Sequence, residues 1–493
     1  MLIYCVIIII GMYHHELWFD EVQHFLLARD SKSIHELIQN SLYDDHVALW
    51  KILLFMLTHF ISDNPIALQA LHFIVIITAV FIFLRYAPFN FIAKILILLG
   101  YYFIFEYSIL CRNYAIDILF LFIICKLLSK PDKNLIKVGV LLICMCNTHE
   151  FFFFASISIF LYLLYYNYDH KSLNTRFLLF SFLFLIGFLI VVFHIYNAEL
   201  YTSIYHTNKW WLTVHNISFA VHGIDKGFIP LPPLHDPNFW NRHMFEGWSS
   251  FIKVPLSLLF LLYPVWIIRN SRKALIFYTS ASFFLLLFLT RSQMTGSRYY
   301  GMFFIYFIVA IWLADYDGIN VLFIDKDKKR SIIDVATICI FYIILLVQIV
   351  AGAFIYEQDY TRPFSQGKNT VKFIQSQHLD SVPIVVDGYN AGPTLSAYFR
   401  HPVYYLDIDT IGSYCWDNKA LDPVNRKSLI QEMKDSKYIP TIKEFILISD
   451  RPNCDSEINQ MAIFYFVKIN SFQNAIIPIE NYYVYNVTKK QDD

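Results

Sequence analysis

Long apolar runs separated by short polar segments fill the first 356 residues of this 493-residue chain. A helix that crosses a bilayer needs about 20 predominantly apolar residues. Residues 65–84, 91–108, 151–166, 177–196, 251–268, 274–290, 299–314 and 332–355 reach or approach that length, and 115–128 and 135–147 are shorter runs of the same kind. Residues 1–13 are shorter still: either they form a short span that extends into Leu17-Trp18-Phe19, or the true start lies upstream of Met1. The pattern predicts a polytopic α-helical membrane protein with about eleven transmembrane helices.

Charge sets the orientation. Cytoplasmic loops collect Lys and Arg, and Arg85, Lys130, Lys133, Lys137, Lys171, Arg176, Arg269, Arg272, Lys273, Lys326, Lys328, Lys329 and Arg330 all fall on one side if residues 46–61 do not cross. That segment is then a helix lying on the outer membrane surface. Asn64-Pro65, a good cap followed by a good first helical residue, starts the next helix. The loop 197–250 and everything after Tyr356 are predicted to lie outside the cytoplasm.

Residues 357–493 change character. "VPIVVDGYNAGPTLSAYFRHPVYYL" reads as a strand, a Gly/Pro turn, a short helix and a second strand, with "EFILISD" and "NYYVYNV" as further strands. Strands alternating with helical stretches predict a small extracytoplasmic α/β domain. Its location makes Cys415 and Cys454 candidates for a disulfide, whereas the other six cysteines fall in or near apolar runs and read as packing residues.

Composition agrees and removes one class of partner. Hydrophobic residues are 57% of the chain and charged residues 16%, mean hydropathy is +0.47, and the formal net charge is zero. The cations are scattered, so no basic surface for nucleic acid stands out.

The polar stretch "WFDEVQHFLLARDSKSIHELIQNSLYDDH" follows the first apolar run. Val22, Phe25 and Leu26 form the apolar side of one helix, and Ser33-Ile34-His35-Glu36 is a capping box that opens a second. On spacing alone Asp20 reads as an N-cap, with Glu21 favourable to the helix dipole and Gln23 completing a capping-box pattern.

A resemblance adds a second reading. "WFDE" at 18–21 directly after an apolar run, "HVALWKILLFML" at 46–57, then "CRNYAIDILFLFI", "NTHEFF" and "GSRYYGMFF" in that order resemble the GT-C superfamily of polyprenyl-phosphate-sugar-dependent glycosyltransferases. That superfamily includes protein O-mannosyltransferases and the aminoarabinose transferases that modify lipid A. The organisation corresponds over nearly the whole chain, although the first apolar run is short and Val47 and Ala48 stand where many members have prolines. The resemblance implies a membrane domain, 1–356, with outer juxtamembrane helices at about 20–61, and an extracytoplasmic domain, 357–493. It also implies a polyprenyl-phosphate-linked sugar as donor, a lipid, glycan or protein hydroxyl as acceptor, inversion at the anomeric carbon, and a place such as the bacterial cytoplasmic membrane.

The chemistry needs few groups. Phosphate is already a good leaving group, so a base for the acceptor hydroxyl and cations for the departing charge suffice. On this reading Asp20 is the base and Glu21 supports it, while Arg112, Arg298 and Arg291, all at outer ends of spans, bind the donor phosphate. His46, Glu106, Tyr114, His149, Glu150 and Tyr299 are candidates for the cavity lining, and Trp210 and Trp211 in the aromatic and Pro-rich outer loop for acceptor choice. A divalent metal is possible at His149-Glu150 and Glu106; the adjacent histidines of His14-His15-Glu16 diverge too much to share one. Two other functions fit the composition, a flippase or transporter of lipid-linked sugars and a polymerase or ligase of lipid-linked glycans. The gathering of charge at outer helix ends, with no internal repeat, favours the transferase.

Overall fold

The computed structural model describes residues 1–43, 47–201, 212–319, 331–388, 390–415, 426–452 and 463–490. Among them seven helices are long and apolar enough to cross a membrane: Pro65–Tyr86, Glu150–Asp169, Thr175–Asn197, Ser250–Ile268, Arg272–Ser292, Ser297–Asp315 and Ile332–Thr361. The chain is an integral membrane protein. Leu2–His14, Phe91–Leu99, Tyr114–Leu127 and Pro131–Cys146 are the shorter helices at the other four predicted spans. Leu49–Phe60, with 12 residues, is too short to cross, as the charge pattern requires. Helix Pro65–Tyr86 starts as expected, Asn64 Oδ1 accepting the Ile66 N–H at 3.0 Å.

Ser297–Asp315 is the central helix. Of its membrane window 94% is buried, against 22% for Thr175–Asn197, whose Phe182 and Phe193 are 58% and 70% exposed. Such outward-facing apolar side chains are where lipid, not protein, supplies the apolar surroundings.

One predicted span is broken. Residues 91–108 form helix Phe91–Leu99 and then a π-helical turn, Tyr102–Glu106. Gly100 is the break: a Cβ there would lie 3.0 Å from Gln348 Oε1, and one on Gly352 would lie 3.1 Å from the Tyr101 amide. The two glycines let the long helix Ile332–Thr361 approach the backbone at the interruption. That helix also runs past the expected boundary at 356 and carries Asp359 to the junction with the tail.

The tail holds six strands: β1 (Ile384–Asp387), β2 (Val403–Tyr405), β3 (Thr410–Gly412), β4 (Glu444–Ser449), β5 (Phe464–Phe472) and β6 (Tyr482–Lys489). Their order is β3-β2-β1-β4-β6-β5. β1 is parallel to β2 and β4, and the remaining pairs are antiparallel. Helices Gly367–Ser376 and Ala391–Phe399 cover one face through Val371, Ile374 and Leu395; Leu429–Asp435 covers the other through Met433. Between the two halves lies helix Phe19–Asp30, packed on Leu49–Phe60 on one side and on Ala391–Phe399 on the other.

Candidate active site

Helix Phe19–Asp30 sets the geometry, and its cap is not where the spacing suggests. The N-cap is Trp18, whose N–H donates to Glu21 Oε2 at 3.2 Å and whose carbonyl accepts the Glu21 N–H at 3.0 Å. Glu21 sits at the third helical position, the one from which a carboxylate reaches back to the cap. Asp20 is thereby released from capping. Gln23 is elsewhere too: its amide exchanges two hydrogen bonds with the backbone of Cys415 in the tail, at 2.8 and 2.9 Å.

Glu21 is fully buried and its oxygens are occupied. Besides Trp18 it accepts the Cys111 N–H at 2.5 Å and meets His15 Nε2 at 2.9 Å, while His15 Nδ1 meets Asp359 at 3.0 Å. Burial pulls the imidazole down, but Asp359 and Glu21 outweigh it and hold His15 up to about 10. A buried imidazolium thus ties the first turn of the Asp20 helix to the end of Ile332–Thr361.

Asp20 points the other way. Its carboxylate is 18% exposed, with Oδ2 2.9 Å from Arg298 Nη2 and 3.5 Å from Arg112 Nη1. Arg112 also donates to the Asp20 carbonyl. Arg298 donates to the Tyr299 hydroxyl at 2.9 Å, and its guanidinium carbon is 4.9 Å from the Tyr299 ring, 5.8 Å from Trp18 and 5.9 Å from Trp240. Three of the two guanidinium groups' nitrogens, Arg298 Nε and Nη1 and Arg112 Nε, are buried with no hydrogen-bond partner among the described residues. Buried polar groups ordinarily find partners, so this pair has donors to spare.

Other predicted residues gather around it. The Tyr114 hydroxyl, buried with no such partner, and Glu106 both lie within electrostatic reach of Arg298 and Arg112. Glu106 accepts the Tyr101 hydroxyl at 2.7 Å. Tyr114 packs on His149, ring centres 4.7 Å apart. His149 caps helix Glu150–Asp169 by accepting the Phe151 N–H at 3.3 Å, and its Nδ1 is 3.2 Å from Glu150. Arg291 is exposed at the end of Arg272–Ser292. His46, Trp210, Trp211 and the disulfide candidate Cys454 lie outside the described residues. His15, Asp359 and Trp240 were not anticipated at the site. Trp240 had a signal, its place at the end of the aromatic and Pro-rich "IPLPPLHDPNFW".

No protein-family model matches the chain, and no curated protein sequence matches it. Among solved structures, ArnT from Cupriavidus metallidurans bound to undecaprenyl phosphate aligns over 98% of this chain and 96% of its own, with a TM-score of 0.52 and 11% identity. The chain has a GT-C-like fold. Because the alignment covers both halves, the membrane helices and the sheet domain belong to one GT-C-like architecture. Among the described residues the carboxylates spaced for a metal are Asp387, Asp407 and Glu432, which lie in the tail, with Arg426 and Arg451 already among them.

Proposed function

We propose that this protein is a membrane glycosyltransferase that moves a sugar from a polyprenyl-phosphate donor to an acceptor hydroxyl on the outer face of the membrane, with inversion. The acceptor oxygen attacks the anomeric carbon, the bond from that carbon to the phosphate oxygen breaks, polyprenyl phosphate leaves, and Asp20 takes the hydroxyl proton. Arg298 and Arg112 hold the phosphate and stabilise the charge that develops on it. Glu21 is a positioning residue, Tyr114, Tyr299 and Glu106 lie near the two guanidiniums, and His149 and Glu150 lie beyond Tyr114.

The observation that carries this reading is the pairing of Asp20 with two guanidiniums that keep unpartnered donors. Guanidinium matches phosphate bidentately, and donors in excess of the protein's own acceptors suit an incoming anion. The GT-C-like fold, shared with a protein solved with undecaprenyl phosphate, adds support. So does the distribution of basic loops, on which the site and the tail domain both lie outside the cytoplasm.

The test is turnover. The purified protein in nanodiscs, given a panel of undecaprenyl-phosphate-linked sugars, should release undecaprenyl phosphate from one of them in an acceptor-dependent way, with the product's anomeric configuration inverted by NMR. Translocation of intact donor across proteoliposomes without cleavage would establish a flippase instead.

A further inference from the structure

His15 also lines a cavity of about 230 Å³ between the start of membrane helix Pro65–Tyr86 and the tail helix Gly367–Ser376. Lys368, Lys372 and Arg400 line it, as do Pro65, Ile66 and His15; no carboxylate among the described residues does. Lys368 and Lys372 are four residues apart and so share one face of their helix. Neither has an ion pair or hydrogen bond among the described residues, whereas Arg400 is paired with Asp63.

We propose that this cavity binds the phosphate headgroup of an anionic membrane phospholipid, at a site distinct from the Asp20–Arg298 centre. The cations supply the attraction, lysine being a point-charge phosphate binder. The position supplies the lipid. Pro65 and Ile66 form the first turn of a membrane-crossing helix, where headgroups lie. Ile66 is 68% exposed, and Ile61 and Phe60 just before it are 77% and 76% exposed. A phospholipid bound here places its phosphate on the lysines and its acyl chains along that apolar edge. Glu16, only 8% exposed, lies behind the same lysines with Oε2 unpartnered among the described residues. Burial, opposed by Lys368, His15 and Lys372, pushes its carboxyl up to about 7. It therefore provides only part of a counter-charge to the lysines at neutral pH. Glu16 adjoins His15, so the headgroup rests against the imidazolium that braces the first turn of the Asp20 helix.

Native mass spectrometry of the full-length protein tests this, with dioctanoyl phosphatidylglycerol as probe and dioctanoyl phosphatidylcholine and inorganic phosphate as comparisons. The parent should bind phosphatidylglycerol in preference to phosphatidylcholine, and K368Q/K372Q should weaken that binding at least tenfold while thermal unfolding and undecaprenyl phosphate binding stay unchanged. Arg298→Ala should do the converse, losing undecaprenyl phosphate and keeping phosphatidylglycerol. Unchanged phosphatidylglycerol binding in K368Q/K372Q overturns the proposal, as does its loss in Arg298→Ala, which would assign the lipid to the donor site. Displacement by millimolar inorganic phosphate would overturn the lipid as source. Failure of undecaprenyl phosphate to bind the parent bears on the transferase reading alone.

Discussion

Two arginines in this molecule, Arg451 in the tail and Arg298 near Asp20, both sit beside carboxylates and differ in saturation. In the tail, Arg451 spends every nitrogen: Nε and Nη2 on Asp387 at 3.1 and 2.8 Å, Nη2 also on Glu432 at 2.8 Å, and Nη1 on the Lys427 carbonyl at 2.8 Å. Near Asp20, Arg298 spends Nη2 on Asp20 and Tyr299 and leaves Nε and Nη1 without acceptors among the described residues. A closed network staples elements together, here the carboxyl end of β1 to helix Leu429–Asp435. An open one has hydrogen-bonding capacity left for a ligand. Saturation, not the presence of charge, is what separates the two guanidiniums.

The largest effect that tests the contrast is at Asp20. Because Trp18 is the cap, Asp20→Asn removes no capping hydrogen bond and still accepts from Arg298. It should leave thermal stability and donor binding in place and lower sugar transfer about 10²–10⁴-fold, the usual contribution of a positioned base. Transfer near the parent rate would remove the base from the mechanism.

Next is Arg298→Lys, which keeps the charge and loses the planar fork. We expect kcat/KM for the lipid-phosphate donor to fall roughly 10–100-fold, equivalent to about 1.4–2.8 kcal/mol, in a protein that remains folded. Arg451→Lys should do the reverse, destabilising the tail by about 1–3 kcal/mol through its lost hydrogen bonds while the folded fraction transfers sugar at the parent rate. If both substitutions lowered turnover equally, the distinction between an open and a closed guanidinium would fail.

The smallest effect is one of pH profile. Burial pushes the Glu480 carboxyl up to about 7, above its ordinary 4.5. A raised acid binds more protons in the folded state, so its contribution to stability is present below about 4.5 and is lost as pH rises toward 7. Glu480→Gln keeps the acceptor and removes the titration, so the apparent Tm should decline less between those pH values in the variant than in the parent. Superimposable profiles would show that Glu480 ionises without cost.

The membrane class, the long spans and the short helix at 49–60 were legible because hydropathy is a local signal. The break at Gly100 was not, since it depends on Gln348 and Gly352 in a helix some 250 residues away. β3 is three residues long and β5 alternates only loosely, so neither stood out beside the apolar runs of β1, β4 and β6. At the site, Asp20, Arg112 and Arg298 meet as the sequence led one to expect. The spacing that made Asp20 a cap failed because Glu21 reaches back three residues to Trp18. The His15–Asp359 contact joins residues 344 positions apart, and no periodicity encodes it.

Helix Phe19–Asp30 takes its first backbone N–H acceptor from the tail: the Phe19 amide donates to Glu480 Oε1 at 2.7 Å. The two halves are consequently not interchangeable modules. A chimera that grafts another sheet domain onto this membrane bundle must bring a carboxylate to the place of Glu480 and a backbone edge to that of Cys415. Otherwise the helix that presents Asp20 loses an anchor at its first residue, and the first sign of such a swap would be a displaced Asp20 relative to Arg298 and Arg112.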